Sequence, residues 1–268
     1  FKGGNYLEAI TKVNSVAFDK TGTLTTGRFS VIDVKSVSFD SREMLSLLAA
    51  AETGSTHPLA KALVEYVASR GISVPVPETM QEIAGNGTRA TVNGKEVIAG
   101  SPRMLRNAGV SFPDELSSNG ATVIACAVDG KYTGYVTLAD TVKDDASMTV
   151  DGLRRLGIDD VVMLSGDKKE TVADYARRLG IKEAYGELLP QDKAEYVGRV
   201  SSTPGKSIAF VGDGMNDAPV LAISNVGVAM GGLGSDAAIE SADVVIQTDQ
   251  PSRLLTAIKI GGTTHTIA

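Results

Sequence analysis

Short apolar runs that stop at an acidic turn recur along the chain. Residues 13–18, 161–164 and 208–211 form three such runs, a pattern typical of fully buried parallel strands. Helix-length patterns between the second and third runs predict a βαβ arrangement. With two further runs at residues 226–230 and 244–246, the outer parts of the chain predict a doubly wound parallel α/β sheet.

Two helices and one loop are marked in the second half of the chain. Asp167 is predicted as the N-cap of a helix, with Glu170 at the capping-box position and Gly180 as its stop. Another helix is predicted to begin near Pro190. The glycine-rich residues 231–234 predict a mobile loop.

The middle of the chain carries a different pattern. Residues 90–99 alternate around Asn93-Gly94, and Asp129-Gly130 interrupts a second apolar stretch; both dipeptides are strong hairpin signals. Two helices precede the hairpins, one N-capped by Ser41 and one running from Pro58 to Gly71. The middle therefore predicts an inserted α+β domain built on an antiparallel sheet.

These patterns divide the chain into a core and an insert. The core is predicted from residues 1–30 and 139–268, and the insert from residues 31–138. Both sizes are ordinary for domains. Because two connections join them, a hinge is expected.

Composition excludes several classes of protein. The net charge is −6 and basic tracts are absent, so nucleic acid is not an expected partner. The single cysteine, Cys126, lies in an apolar run and is predicted to be a small buried residue in a reducing compartment. No stretch approaches the roughly 20 apolar residues of a membrane span, so the chain is expected to be soluble. Its start at Phe1 suggests excision from a longer protein.

The first acidic turn carries candidate chemistry. Asp19 ends a predicted strand, and the glycine- and threonine-rich turn behind it can hold an anion with its N–H groups. Residues 19–25 read D-K-T-G-T-L-T, which resembles the phosphorylation signature of P-type ATPases, a branch of the haloacid dehalogenase-like superfamily. The resemblance implies that Asp19 attacks the γ-phosphorus of ATP and that Lys20 supports it. A lone Asp at this place would ordinarily be solvated.

A second acidic turn follows a later strand. Residues 212–219 read G-D-G-M-N-D-A-P, and their hard oxygen ligands suit Mg²⁺. They are similar to the G-D-G-x-N-D-x-P motif of the same family. The resemblance implies that Asp213, Asp19 and the Thr21 carbonyl hold Mg²⁺, and that Asn216 and Asp217 steady the site.

Two further motifs complete the implied catalytic set of Asp19, Thr21, Ser165 and Lys193. Ser165-Gly166-Asp167 resembles the family's T-G-D motif, which implies that Ser165 binds the transferred phosphoryl group and that Asp167 faces the nucleotide. Lys193 matches the P-x-x-K lysine that neutralises phosphate. Taken alone, Ser165 and Asp167 would be capping residues and Lys193 a surface charge. Phosphoryl transfer requires such in-line positioning and cationic stabilisation.

One difference separates this chain from the superfamily's phosphatases. Those enzymes carry a second Asp two residues after the nucleophile as general acid/base, where this chain has Thr21. The aspartyl phosphate is therefore expected to hydrolyse slowly.

The insert resembles the nucleotide-binding part of heavy-metal-transporting ATPases. His57-Pro58 matches their S-E-H-P-L motif, in which the His stacks on adenine, although Thr56 stands where Glu is usual. Gly85-Asn86-Gly87 matches their G-x-G loop. The resemblance implies an adenine pocket lined by Glu52, His57, Gly85, Gly87 and Gly100. Ser101 replaces the usual Asn, which leaves a ribose contact there open.

The resemblance covers essentially the whole chain. It implies the ATP-hydrolysing part of a heavy-metal exporter at the cytoplasmic face of the cell membrane, with copper or silver ahead of zinc, cadmium or lead. The implied partners are ATP and the transmembrane and actuator domains of the parent chain. Two alternatives stay open: a soluble haloacid dehalogenase-like phosphatase with a cap domain, and a non-catalytic ATP-sensing module.

Overall fold

The computed structural model describes residues 1–38, 40–118, 121–231 and 236–267. The chain divides into two compact units: unit 1 comprises Phe1–Gly27 with Val142–Ala268, and unit 2 comprises Arg28–Thr141. Gly232, Leu233 and Gly234 of the expected mobile loop lie outside the described residues.

The secondary structure alternates between strands and helices. The strands are β1 (Ser15–Asp19), β2 (Thr25–Ser36), β3 (Thr79–Ile83), β4 (Gly87–Val92), β5 (Lys95–Gly100), β6 (Thr122–Val128), β7 (Lys131–Val142), β8 (Asp160–Leu164), β9 (Glu183–Tyr185), β10 (Ile208–Gly212), β11 (Val226–Met230) and β12 (Val244–Ile246). The helices are α1 (Gly4–Thr11), α2 (Ser41–Glu52), α3 (Pro58–Ser69), α4 (Pro102–Asn107), α5 (Glu115–Ser118), α6 (Ala146–Arg155), α7 (Lys169–Leu179), α8 (Pro190–Ser201), α9 (Ala218–Ile223), α10 (Asp236–Ser241) and α11 (Arg253–Ile267).

Unit 1 is built on a parallel sheet with the strand order β12-β11-β10-β1-β8-β9. Side chains alternate between the two faces of β1: Val16 and Phe18 enter one apolar core, and Ala17 enters the other. Helices cover both faces, so the expected doubly wound α/β class is confirmed. Burying a side chain such as Phe18 contributes roughly 1.5–3 kcal/mol to the stability of the unit.

Unit 2 is built on an antiparallel sheet with the order β2-β7-β6-β5-β4-β3. Its hairpins turn at Asn93-Gly94 and Asp129-Gly130, and all four residues have positive φ between 49° and 76°, as type I′ turns require. Helices α2 and α3 pack on one face of the sheet and α4 on the other. The predicted α+β insert is therefore observed.

Some predicted helix limits need correction. Helix α7 begins at Lys169 with Lys168 as its N-cap, so the prediction that Asp167 caps it with Glu170 was wrong. The Asp167 carboxylate instead pairs with Lys20. The stop at Gly180 is confirmed by its left-handed conformation, with φ of 70°. Helix α2 has Asp40 rather than Ser41 as its N-cap.

A helix that crosses a lipid bilayer needs about 20 mostly apolar residues. Within the described ranges, no helix combines the length and the apolar character that a membrane crossing requires.

Candidate active site

Three neighbouring strands of unit 1 end side by side. Strand β1 pairs in parallel with β8 and β10, so that Asp19 lies opposite Leu164 and Phe18 lies opposite Val211. The residues that follow these strands therefore meet at the carboxyl edge of the sheet, where open α/β sheets bind ligands. Ser165 follows β8 directly, and Asp213 follows β10.

Three carboxylates gather at this edge. Oxygen atoms of Asp19, Asp213 and Asp217 all lie within 4.8 Å of one another. Burial raises the pKa of Asp19 to about 7, and the charge of Asp217 adds to the shift while Lys193 opposes it. Burial, followed by the charge of Asp217, raises the pKa of Asp213 to about 6. Both carboxyl groups are therefore harder to ionise than a solvated Asp.

Lys193 supplies one cation to this cluster. Its Nζ lies 2.6 Å from Asp19 Oδ1 and 3.4 Å from Asp217 Oδ1. Burial alone would lower the pKa of Lys193, but the charges of Asp19 and Asp217 outweigh it and the pKa is raised. The ammonium therefore stays charged, which explains a lysine in the first turn of α8, where the helix dipole disfavours cations.

The carboxylate cluster fits a divalent cation. Among the described residues, these carboxylates outnumber the cations beside them, which are Lys193 at Asp19 and Asp217 and Lys143 near Asp213, itself already paired with Asp249. Carboxylate oxygens are the ligands that Mg²⁺ prefers. The donor chemistry therefore suits Mg²⁺.

The turn at residues 20–24 requires a glycine beside this cluster. Gly22 has φ of 78°, and a Cβ at this position would overlap the Asp213 carboxylate. Thr25 Oγ1 accepts the Gly22 N–H at 3.2 Å and donates to the Lys20 carbonyl at 3.1 Å. Thr21 is exposed in this turn, two residues after Asp19. The turn thus keeps the backbone close to the acidic cluster.

Lys143 anchors the same turn. It is buried, and its Nζ donates to the Gly22 carbonyl at 2.9 Å and to Asp249 Oδ1 at 2.7 Å. Its charge lowers the pKa of Asp213, against the larger effect of burial. Since Asp249 lies in no recognisable motif, its pairing with Lys143 could only be found from the structure.

Ser165, Gly166 and Asp167 form a bend after β8. Ser165 is buried, and its Oγ accepts the Asp167 N–H at 3.1 Å. A Cβ on Gly166 would lie 3.3 Å from the Leu188 carbonyl oxygen. Ser165 follows Leu164, the register partner of Asp19.

Lys20, the residue directly after Asp19, contacts this bend. Its Nζ lies 2.7 Å from Asp167 Oδ2 and 4.5 Å from the centre of the Tyr175 ring. The side chain of Lys20 is only 2% exposed. The pair with Asp167 and the aromatic face together stabilise a buried cation. Tyr175 was not a predicted site residue, and an aromatic at a helical core position gives no functional signal in a sequence.

Asp217 and Asn216 lie in the short turn before α9. Asp217 is buried, and its Oδ2 accepts the Gly214 N–H at 3.4 Å while its Oδ1 faces Lys193. Asn216 is exposed in the same turn. Asp217 thus lies within the acidic cluster itself. The sequence motif implies only that it steadies the site.

In unit 2, Glu52 is a buried acid at the end of α2. Burial raises its pKa to about 7, the charge of Glu82 adds to the shift, and a hydrogen bond from Thr88 opposes it. The Thr88 hydroxyl lies 3.5 Å from Glu52 Oε2. A carboxyl kept partly neutral at neutral pH can donate as well as accept hydrogen bonds.

His57 begins the next helix. Its Nδ1 accepts the Leu59 N–H at 3.2 Å, so the side chain caps α3. The backbone N–H of His57 donates to Ser55 Oγ. The ring is exposed. Because Nδ1 must be unprotonated to accept, the neutral ring carries its proton on Nε2. The capping contact orients the imidazole of an exposed residue.

The predicted glycines of unit 2 make a close backbone contact. Gly87 and Gly100 are register partners on β4 and β5, and a Cβ on Gly100 would lie 2.9 Å from Gly87 Cα. Gly85 has φ of 72° and is exposed. Ser101 donates its N–H to the Asn86 carbonyl at 2.8 Å, and its Oγ accepts the Met104 N–H at 3.2 Å as the cap of α4.

Comparisons with known proteins agree with the motifs. A family model described as haloacid dehalogenase-like hydrolase matches residues 13–225. The chain is 44% identical over 270 residues to the cadmium, zinc and cobalt-transporting ATPase of Bacillus subtilis (strain 168), covering 99% of this chain and 38% of that protein. It is 38% identical to the probable copper-exporting P-type ATPase V of Mycobacterium tuberculosis (strain CDC 1551 / Oshkosh), covering 97% of this chain and 34% of that protein.

Solved structures give the same result. The crystal structure of a zinc-transporting PIB-type ATPase in the E2.Pi state matches with a TM-score of 0.88 and 35% identity, covering 98% of this chain and 43% of that one. The chain therefore spans less than half the length of the relatives it matches. The higher identity to the cadmium, zinc and cobalt transporter than to the copper exporter does not support the expected order with copper ahead.

Proposed function

Because this chain belongs to the haloacid dehalogenase-like hydrolase family, we propose that it is the ATP-hydrolysing part of a heavy-metal P-type ATPase. In this proposal Asp19 accepts the γ-phosphoryl group of ATP. The observation that carries it is the Lys193 ammonium 2.6 Å from Asp19, within a cluster of three carboxylates at the edge of a parallel sheet.

The transfer follows from the chemistry of these groups. A carboxylate oxygen of Asp19 attacks the γ-phosphorus, the bond from that phosphorus to the bridging oxygen breaks, and ADP leaves with the electron pair. Lys193 holds Asp19 ionised and faces the charge that develops on the phosphoryl oxygens. Ser165 donates a hydroxyl hydrogen bond to the transferred group. Lys20 orients Asp167 toward the nucleotide.

Asp19, Asp213 and Asp217 would hold Mg²⁺, with the Thr21 carbonyl as a further ligand, and the bound ion would offset negative charge on the phosphates. Thr21 offers no carboxylate for general acid/base work, so the aspartyl phosphate persists. This distinguishes the proposal from a soluble phosphatase of the same family.

The two units divide the work in this proposal. The phosphorylation domain is about residues 1–30 and 139–268, and the nucleotide-binding domain is about residues 31–138. In the latter, His57 stacks on adenine, Glu52 meets its exocyclic amine, and Gly85, Gly87 and Gly100 let the backbone approach the nucleotide. Support comes from the oriented imidazole of His57 and the buried acid Glu52.

The transported ion is proposed to be zinc or cadmium rather than copper, since the names of the bacterial relative and of the solved structure above point to that group. The parent protein then acts in the cell membrane, with this part on its cytoplasmic face beside the transmembrane and actuator domains. Metal-stimulated ATP hydrolysis by the full-length parent checks this: stimulation by copper(I) and not by zinc would contradict it.

Labelling from γ-labelled ATP tests the central step. The chain is expected to acquire Mg²⁺-dependent label that is stable to acid and labile to hydroxylamine, whereas Asp19→Asn stays unlabelled. Asp174→Asn, which removes an exposed acid on α7, serves as the matched control and is expected to label like the parent. Equal labelling of Asp19→Asn would remove Asp19 from its role, and rapid turnover of simple phosphomonoesters without label would favour a phosphatase.

A further inference from the structure

A pocket in unit 2 lies on the sheet face opposite α2 and α3. Thr88 and Ala90 of β4 face those helices, as the Thr88 contact with Glu52 shows. Side chains alternate along a strand, so Arg89 points to the other face, which α4 covers. The pocket measures about 210 Å³ and is lined by Ile83, Asn86, Arg89, Met104, Asn107 and Ala108.

Arg89 brings an uncompensated donor to this pocket. Its Nε is buried and has no hydrogen-bond partner among the described residues. None of the acidic side chains in the described ranges forms an ion pair with it, and its register partners, Gln81 and Ile98, carry no charge. A buried donor without an acceptor costs about 1–3 kcal/mol, and more when it is charged. Arg89 also lines the pocket, so an anion bound there would balance the charge of its guanidinium, which no carboxylate of the described residues pairs with.

The remaining lining restricts the class of anion. Asn86 and Asn107 offer carboxamide groups, while Ile83, Met104 and Ala108 form apolar walls. A planar guanidinium matches a carboxylate through two parallel hydrogen bonds. The volume is below the roughly 300–1,000 Å³ of pockets for drug-sized ligands, so the occupant is small.

We propose that this pocket binds a small carboxylate with a short apolar stem, whose charged end pairs with Arg89 and whose stem packs against Ile83 and Met104. The pocket contains none of the proposed nucleotide or phosphorylation residues. It touches the glycine loop only through Asn86. The site is therefore additional to the proposed function and does not depend on it.

The test uses butyrate as the probe and butyramide as its uncharged match. Both are titrated into the 268-residue chain while backbone amide signals are followed by NMR. Butyrate is expected to give saturable shifts at Asn86, Arg89, Asn107 and Ala108, and butyramide is not. Arg89→Gln should weaken butyrate binding by about tenfold or more, as expected for loss of a charge-assisted pair.

Arg103→Gln is the matched control, because Arg103 is exposed on α4 and does not line the pocket. This variant should bind butyrate like the parent. Equal shifts with butyramide, an absence of saturable shifts, or unchanged binding by Arg89→Gln would each overturn the proposal. The comparison of the two probes on the parent chain remains decisive even if Arg89→Gln does not fold.

Discussion

At the acidic cluster, the Lys193 ammonium contacts the carboxylates of Asp19 and Asp217. Burial and the charge of Asp217 already raise the pKa of Asp19, and removing the charge of Lys193 takes away the cation that opposes this shift. Lys193→Met should therefore slow labelling from ATP by about 10²–10³, the cost of deleting one preorganised stabilising group. Lys206→Met, which removes an exposed partner of Asp160, should label at the parent's rate. An unchanged rate in Lys193→Met would show that its ammonium does not act on the transferred group.

Glu52 gives unit 2 a stability that depends on pH. Its pKa is about 7 in the folded protein against 4.5 for an unperturbed Glu. Between these values the folded state binds the proton and the unfolded state has lost it, so stability falls as pH rises from about 4.5 to 7. Glu52→Gln removes this loss, which amounts to about 3 kcal/mol.

Hydrogen exchange of the α2 amides, measured without nucleotide and corrected for intrinsic rates, reports this difference. Glu52→Gln should be protected like the parent at pH 5 and more strongly at pH 8. Glu65→Gln, an exposed change on α3, should show no such trend. Equal pH dependence in the parent and Glu52→Gln would contradict the raised pKa.

Among the elements, those with strong local signals were predicted and those set by tertiary contacts were not. The Asn93-Gly94 hairpin and the stop at Gly180 follow from left-handed backbone positions that sequence shows directly. Strand β9 was missed because Glu183-Ala184-Tyr185 has no apolar run. The start of α7 was misplaced because Asp167 pairs with Lys20, a partner distant in sequence.

The turn after β1 depends on one glycine. Gly22→Ala adds a Cβ that overlaps the Asp213 carboxylate, in addition to the cost of about 1 kcal/mol for a positive φ. Gly27→Ala has nearly the same φ, 72°, but its Cβ would meet only Gly22 Cα at 4.0 Å. Both variants should lower the melting temperature, and only Gly22→Ala should lose labelling. Loss of labelling in both would mean that the turn's conformation, rather than contact with Asp213, is what matters.

For the whole molecule, the predicted class of a parallel core with an antiparallel insert is confirmed, and the motif residues Asp19, Lys193, Asp213 and Asp217 are brought together. Local patterns sufficed for Asp19 and Asp213 because β1 and β10 are buried apolar runs that lead into acidic turns, whereas the position of Lys193 was implied by its motif. The Lys143–Asp249 ion pair and the contact of Lys20 with the Tyr175 ring could not be predicted from the sequence, because each pair joins residues that share no motif.

The connections of the insert make it separable. Strands β2 and β7, which carry the chain into and out of unit 2, are hydrogen-bonded neighbours, so the two ends of residues 28–141 lie side by side and excision breaks no central pairing. The unit has its own apolar cores on both faces of its sheet. Residues 28–141 expressed alone should therefore give a dispersed NMR spectrum and bind ADP with an affinity similar to that of the whole chain, since the proposed adenine contacts all lie within this unit. His57→Gln in the excised unit should weaken ADP binding while leaving the spectrum dispersed. If the excised unit folds but does not bind ADP, residues 28–141 do not form the nucleotide site by themselves. The proposed role of Asp19 would be unaffected by that result.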